Sequence, residues 1–382
     1  FLDYGMALRA VTIGYGEKRI ANAAIEQIWK GNNLTRASVI ELEAAEAMVD
    51  LIPTVDMVKF AKNGSTVTSA AVKMARAYTG RKYIIRCFDH PFFSYDDWFI
   101  GDTVITRGIP KESHEHTVNF RYNDIQSLEV LFAQHPNEVA GVILEPATTE
   151  HPKDNFLQKV RDLCHKNGAL FILDEMITGF RWHLQGAQTY YGVEPDLCTF
   201  GKGMANGFSV AALCGKREFM KIGGIKEIGA ERVFLTSTTH GAEMSGLGAL
   251  VETIKFYKEH DVIGHLWDYG TKIVAGLNTI AKELGIEDYF SAGGIECNPY
   301  YVTRDANKEV SMAFRTLFSQ EMIKNGVLMP VIVFSYAHKQ RELDRTFEAT
   351  RRALQVYKKA LEEGVEKYLV GEVVKPVFRK YN

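Results

Sequence analysis

The sequence predicts an α/β protein with two domains: a large one built on a mostly parallel sheet covered by helices, and a smaller α+β one. Short continuous apolar runs alternate with helical patterns through the first two thirds of the chain, which is typical of parallel strands buried on both faces. From about residue 240, two long helical patterns precede short strands and a final helix. The 382 residues also exceed the ~250–300 that one hydrophobic core usually serves.

The first elements have clear start and stop signals. Amphipathic spacing predicts a helix at 17–30, and a capping box, Ser38 followed by Glu41, predicts a second at 38–52 before Pro53. A short apolar strand at 56–61 meets a Gly-Ser-Thr turn, and a helix follows to residue 79, where Gly80 ends it.

The remaining elements alternate in the same manner. We predict strands at 82–87, 139–144, 169–173, 196–200 and 209–214, with helices at 124–134 and 156–167. We predict long helices at 240–260 and 264–284, strands around 294–302 and 327–335, and a last helix at 341–363. These patterns assign an N-terminal segment and part of the small domain to 1–52, the large domain to 53–275 and the C-terminal small domain to 276–382.

Composition excludes several classes of protein. The 45 basic and 47 acidic residues give a net charge of −2, so nothing indicates binding to nucleic acid or to an anionic membrane. No apolar run reaches the ~18–20 residues of a membrane helix. Five scattered cysteines without a C-x-x-C pair favour a reduced, cytoplasmic location. The sequence begins with Phe1, so we expect further residues upstream.

Chemically capable residues follow several of the predicted strands. They are Gly64 and Ser65, Glu145, Asp174 and Lys202. Ligands of open α/β sheets bind at the carboxyl ends of the strands, so we expect these residues to share one site. Residues 114–116 (HEH) could suggest a metal pair, but no third ligand is evident and we predict no metal site.

Each of these residues has a functional and an ordinary interpretation. The helix that opens at Gly64 offers free N–H groups and a positive dipole end to a phosphate, although the same turn could be a plain helix cap. Asp174 ends an apolar strand and needs a partner, which could be a pyridinium nitrogen, a helix N-terminus or Arg181. Lys202 lies between two glycines and is either a Schiff-base nucleophile or a surface loop lysine.

Three segments together resemble one enzyme family. They are 171–181 (FILDEMITGFR), 194–208 (EPDLCTFGKGMANGF) and 62–76 (KNGSTVTSAAVKMAR). In this order and spacing they are similar to the class III, fold-type I aminotransferases, which use pyridoxal phosphate (PLP), and most of all to the glutamate-1-semialdehyde 2,1-aminomutase branch. The resemblance covers essentially the whole chain and implies that the large domain binds the cofactor.

The resemblance implies roles for the residues around the cofactor ring. Lys202 would hold PLP as a Schiff base and move a proton during the reaction, and Asp174 would pair with the pyridine nitrogen. Met176 would pack on one face of the ring. An aromatic side chain would cover the other, with Phe92 favoured over Phe93.

The resemblance implies a phosphate site and a dimer as well. Gly64 and Ser65 would hold the phosphate, and Glu145 fits among the cofactor-binding residues. Thr236 aligns with a hydroxyl that the family donates from the neighbouring subunit, so the implied assembly is a homodimer with shared active sites.

The implied reaction transfers an amino group from an amino donor to a carbonyl acceptor. An aminomutase, which moves the group within one substrate, and a non-catalytic module of the same fold are the alternatives. Three departures from the family pattern bear on the substrate: Thr66 replaces a glutamate, Ser94 replaces a glycine, and the turn at 326–331 (GVLMPV) has no arginine. We therefore expect a modified sugar, a semialdehyde or another bulky carbonyl compound as acceptor.

Overall fold

A computed structural model of the chain describes residues 1–233, 235 and 239–381. The strands are β1 Leu2–Asp3, β2 Met57–Ala61, β3 Tyr83–Cys87, β4 Thr117–Phe120, β5 Val139–Leu144, β6 Leu170–Asp174, β7 Leu197–Phe200, β8 Ala211–Gly215, β9 Phe290–Ile295, β10 Asn298–Thr303 and β11 Val327–Leu328. The helices are α1 Met6–Arg9, α2 Lys18–Trp29, α3 Val39–Leu51, α4 Gly64–Thr79, α5 Asp97–Ile100, α6 Ile125–Gln134, α7 Phe156–Lys166, α8 Ala187–Tyr190, α9 Arg217–Met220, α10 Met244–Glu259, α11 Val262–Glu283, α12 Met312–Lys324 and α13 Gln340–Glu363.

The chain divides into two compact units. The large unit contains Tyr15–His260 and the residues from Phe378 onward, and the small unit contains Phe1–Gly14 and Asp261–Val377. These bounds differ from those placed at 52 and 275 from the sequence. Helices α2 and α3 pack against α10, and this packing assigns them to the large unit.

The large unit is built on a mixed, mainly parallel sheet. Among the described residues its seven strands lie in the order β2-β8-β7-β6-β5-β3-β4. The pairs from β7 through β4 are parallel, whereas β8 is antiparallel to both β2 and β7. Every residue of β5 and of β6 is buried, as strands covered on both faces require. The predicted α/β fold with a mostly parallel sheet is confirmed.

Helix α4 shows how the sequence determines the layer over the sheet. Its buried face consists mainly of small and β-branched residues that recur at helical spacing, among them Val67, Ala70, Ala71 and Ala75. They pack with sheet residues such as Ile143 in one apolar core. The helix ends at Gly80, whose φ of 69° is in the left-handed region that favours glycine.

The small unit differs from the sequence expectation in three places. The strand expected at 294–302 is an antiparallel hairpin of β9 and β10, and the strand expected at 327–335 is only the two-residue β11, which pairs with β1. Helix α12 was not predicted, although Phe314, Leu317, Phe318 and Met322 are buried at helical spacing. In the large unit, β4 was not predicted either; it follows directly after the polar residues 114–116.

The first helical element of the small unit, α1, is a left-handed turn. Four consecutive residues that are not glycine, Met6 to Arg9, have φ values of 42°, 47°, 54° and 76°, a conformation that is unfavourable for L-residues. Two interactions hold it within the small unit: the Met6 side chain is buried, and Arg9 Nε donates to Asn298 Oδ1 at 2.6 Å.

Candidate active site

The edge of the sheet brings an acidic and a basic side chain together. Asp174 is the last residue of β6, and Lys202 follows β7 after one glycine. The two strands are parallel neighbours, with Asp174 opposite Thr199. The carboxylate and the amine therefore belong to the same edge, where open α/β sheets bind their ligands.

Asp174 is 2% exposed, and the same one of its two oxygens accepts both of its hydrogen bonds. Oδ1 accepts from Met176 N and from Thr199 Oγ1, each at 3.0 Å. Among the described residues, Oδ2 accepts no hydrogen bond and Arg181 forms no ion pair with the carboxylate. Burial raises the pKa of Asp174, and the positive charge of Lys202 is the strongest influence that lowers it. The second carboxylate oxygen, Oδ2, thus retains its capacity to accept hydrogen bonds.

Lys202 has an unusual backbone conformation. It begins a short 3₁₀ turn, Lys202–Ala205, with a φ of 46°. Residues other than glycine seldom adopt this conformation, and where the surrounding structure holds them there the strain is a pointer to function. The side chain is half-buried, unlike that of a solvated surface lysine.

Met176 lies between two glycines that are distant in sequence. A Cβ built on Gly64 would be 2.8 Å from Met176 Cε, and one built on Gly201 would be 2.1 Å from the same atom. Gly64 opens α4 and Gly201 follows β7. One thioether side chain therefore contacts the start of α4 and the turn that carries Lys202, and a larger residue at either glycine would collide with it.

The start of α4 combines a capped helix with free first-turn groups. Asn63 Oδ1 accepts from Thr66 N at 3.0 Å, so the plain-cap interpretation is correct for this bond. The N–H groups of Gly64 and Ser65 belong to the first turn, which a helix cannot satisfy internally. Ser65 is buried, and its Oγ accepts from Tyr95 N at 3.1 Å, which attaches the aromatic loop to this helix.

The structure separates the two aromatic candidates. Phe93 is 2% exposed and belongs to the core, whereas Phe92 is 45% exposed and packs edge-on against Phe99 with ring centroids 5.5 Å apart. Phe92 is therefore the available aromatic surface.

Glu145, directly after β5, is buried, and its N–H donates to His90 Nδ1 at 2.9 Å. Thr236 lies outside the described residues.

Sequence reasoning assigned no role to three buried residues here. Thr199 bonds Asp174 from the neighbouring strand, and His90 accepts from the Glu145 backbone. Burial lowers the pKa of His90 to about 3, so its ring is neutral. Glu175 accepts from Ala187 N at 2.8 Å and Gln188 N at 2.7 Å, and also from Thr178 Oγ1. In the sequence, the signal for these residues was their polarity, because each lies within an apolar strand or shortly after one.

Within the described ranges, no three His, Cys, Asp or Glu residues are arranged to hold a metal ion. None of the described helices is both long enough and apolar enough to span a membrane.

The fold is that of an amino-group transferase of fold-type I. A sequence profile of the family described as Aminotransferase class-III matches residues 1–327. The 3-aminobutyryl-CoA aminotransferase of Cloacimonas acidaminovorans (strain Evry) is 32% identical, over 94% of this chain and 86% of the relative. The glutamate-1-semialdehyde 2,1-aminomutase of Clostridium tetani (strain Massachusetts / E88) is 30% identical, over 92% and 88%.

A solved structure gives the same result. The PLP internal aldimine form of the FumI protein of Sphingopyxis sp. MTA144 has a TM-score of 0.84 and 29% identity, over 94% of this chain and 85% of the other. The chain belongs to the class-III aminotransferase family. The predicted family, the predicted enzyme class of aminotransferase and the cofactor expected from the family, pyridoxal phosphate, are confirmed.

Gly201→Ala should destabilise the protein by about 1–3 kcal/mol, as overpacking does, because the new methyl group occupies the position of Met176 Cε. The extended backbone of Gly201, with φ of −179°, adds no strain of its own. Urea unfolding measures the loss, and Met176→Ala in the same chain should recover part of it. Gly293→Ala, which adds a methyl group in open space, is the control. An equal cost at both glycines would contradict the packing.

Glu175 should make stability depend on pH. Burial raises its pKa from 4.5 to about 7. Between these values the folded state holds a proton that the unfolded state has lost, so stability falls as pH rises, by roughly 3 kcal/mol in total. Glu175→Gln should flatten this slope in urea unfolding at pH 4.5 to 8, whereas the exposed Asp162→Asn should not. An unchanged slope would show that Glu175 does not titrate in this range.

Proposed function

We propose that Lys202 and Asp174 are the catalytic residues of a PLP-dependent aminotransferase that moves an amino group from an amino donor to a carbonyl acceptor. One observation carries the proposal: a buried carboxylate with an available oxygen and a half-buried lysine lie at the ends of adjacent parallel strands. The match of the family profile over residues 1–327 supports the same reaction class.

The residues present fit the cofactor. The available Oδ2 of Asp174 suits a protonated ring nitrogen, since an ionised carboxylate is acceptor-only. The first-turn N–H groups at Gly64 and Ser65 suit a phosphate. Met176 and the exposed Phe92 would contact the two ring faces, and Glu145 would be a further cofactor-binding residue. When bound, pyridoxal phosphate supplies an aldehyde that bonds amines reversibly and a ring that accepts an electron pair.

The chain's own groups would then act in defined ways. Asp174 would keep a positive charge at the ring nitrogen, because an opposite charge within about 4–6 Å favours the charged form. Lys202 Nζ would take the proton from the reacting substrate carbon and return it to the acceptor. Thr199 would orient Asp174 through its 3.0 Å hydrogen bond.

A bulky carbonyl compound, such as a modified sugar or a semialdehyde, remains our proposal for the acceptor. The turn at 326–331 contains no arginine for a substrate carboxylate. Arg315 of α12 does approach it, but its Nη2 donates to Pro330 O at 2.7 Å and its guanidinium lies over the Tyr301 ring, 4.4 Å from the centroid. These contacts assign Arg315 a structural role.

We also propose a homodimer in which Thr236 of each subunit completes the phosphate site of the other. Exposed apolar side chains are concentrated at the end of α2 and the start of α3: Trp29 is 85%, Val39 73% and Leu42 60% exposed. Such surfaces are typical of interaction sites, and a second copy is the occupant that a shared active site requires. The five free, buried cysteines support a cytoplasmic location.

Lys202→Ala should abolish amino transfer while the protein stays folded, since the reacting amine is lost. Borohydride treatment of the PLP-loaded wild type should attach the cofactor covalently to the peptide that contains Lys202, as read by mass spectrometry. Lys59→Ala is the control and should keep activity. A label on any other lysine would reject the assignment. Mass balance with a single substrate would identify a mutase.

The double variant Trp29→Asp/Val39→Asp should sediment as a monomer, because two charges replace exposed apolar contacts. It should also bind PLP more weakly than the wild type, since the partner's hydroxyl is lost. Val130→Asp alters a side chain that is 53% exposed elsewhere and should leave the dimer intact. A wild-type monomer with full PLP occupancy and activity would show that one chain builds the complete site.

A further inference from the structure

Lys62 joins three segments that are distant in sequence. It lies between β2 and the turn that opens the phosphate-binding helix. Its Nζ donates to Glu243 Oε2, and its carbonyl oxygen accepts from Ser209 Oγ at 2.6 Å. Ser209 follows the turn that carries Lys202, and Glu243 directly precedes α10. The residue before the phosphate turn is therefore tied to both neighbouring segments of the large unit.

Glu243 is the centre of this cluster. Its Oε1 accepts from Asn32 Nδ2 at 2.9 Å and from Ser245 Oγ at 3.3 Å, while Oε2 accepts from Lys62. The hydrogen bond from Lys62, first among several, lowers the pKa of Glu243, so the carboxylate is ionised near neutral pH. Both oxygens are occupied, and the orientation of the side chain is thereby defined.

Asn32, in the connection between α2 and α3, caps the N-terminus of α10. Its carbonyl oxygen accepts from Met244 N at 2.7 Å, and its Oδ1 accepts from Ser245 N at 3.0 Å. This geometry uses a φ of 57° at Asn32, which asparagine tolerates better than most residues. The start of α10 therefore has a defined position, and Glu243 presents a fixed acceptor to Lys62.

We infer that Lys62 is a positioning residue for the cofactor: its ion pair with Glu243 fixes the phosphate-binding turn at Asn63-Gly64-Ser65 against the start of α10 and so increases the affinity for PLP. The inference rests on the proposed function, which places the phosphate at this turn. The charge of Lys62 is neutralised by Glu243, so it acts through the position of the turn and not as a direct phosphate ligand.

A purely stabilising role is a poor explanation for this pair. The Lys62 and Glu243 side chains are 28% and 27% exposed, and ion pairs that water reaches contribute little to folding. The pair is instead one of several bonds that converge on a single residue next to the cofactor site. Its effect should therefore appear in PLP binding more than in the stability of the apoprotein.

The test compares PLP affinity of apoproteins by absorbance titration. Lys62→Met and Glu243→Gln should each weaken binding by about two- to fivefold, the range for an ion pair that water partly reaches. The double variant should bind no more weakly than either single one, because the interaction can be lost only once. Lys62→Arg, which keeps the positive charge and a donor for Glu243, should bind PLP with the affinity of the wild type. Lys153→Met, which breaks an exposed pair with Glu150, is the matched control.

Any other result of the PLP titration would contradict one particular part of the inference. Additive losses in the double variant would show that Lys62 acts as an independent charge, and unchanged affinity would remove any role for it. A fall in the unfolding temperature of the apoprotein that accounts for the whole loss would make the pair structural only. If the wild-type protein itself binds no PLP, the proposed function fails; if it binds and the variants bind equally, only this inference fails.

Discussion

Two adjacent acidic residues, Asp174 and Glu175, are buried at the C-terminal end of β6. The surrounding segments of the large unit supply the hydrogen-bond donors and the positive charge that stabilise them. Asp174 is 2% exposed and Glu175 is not exposed at all, and buried charges require partners. Glu175 obtains three donors from the segment that follows it, which folds that segment around the carboxylate. Asp174 obtains two donors and the nearby charge of Lys202. The parallel register of β6 and β7 makes this second arrangement possible.

Shape supports the same arrangement. Met176 follows the two carboxylates directly, and its side chain contacts the positions where Gly64 and Gly201 lack a Cβ. The first glycine belongs to the proposed phosphate turn and the second precedes Lys202. The sulfur-containing side chain therefore relates the two ends of the proposed cofactor site, and the glycines are needed here for a close approach and not for an unusual φ.

Local patterns predicted most of the large unit, and long-range bonds account for most of what they could not predict. Apolar runs and helix caps located β5, β6, β7 and α4 to within one or two residues. The bonds of Thr199 and His90 depend on strand register and on a partner about 25 and 55 residues away, which no local pattern encodes. The β9–β10 hairpin was missed because its turn, Glu296-Cys297, has no glycine or proline to mark it.

Bound pyridoxal phosphate would carry a positive charge at its ring nitrogen and a negative charge at its phosphate. The large unit would stabilise these two charges with different groups. At the ring end, a buried carboxylate supplies a full negative charge, since low polarity strengthens such a pair. At the phosphate end, Lys62 is already neutralised by Glu243. The phosphate would therefore depend on the N–H groups of the first turn of α4 and on hydroxyl donors. The strength of such hydrogen bonds depends strongly on their direction, so the position of the turn at Asn63-Gly64-Ser65 decides how well its N–H groups bind the phosphate. The hydrogen bonds that fix Lys62 would therefore act on phosphate binding by fixing this turn.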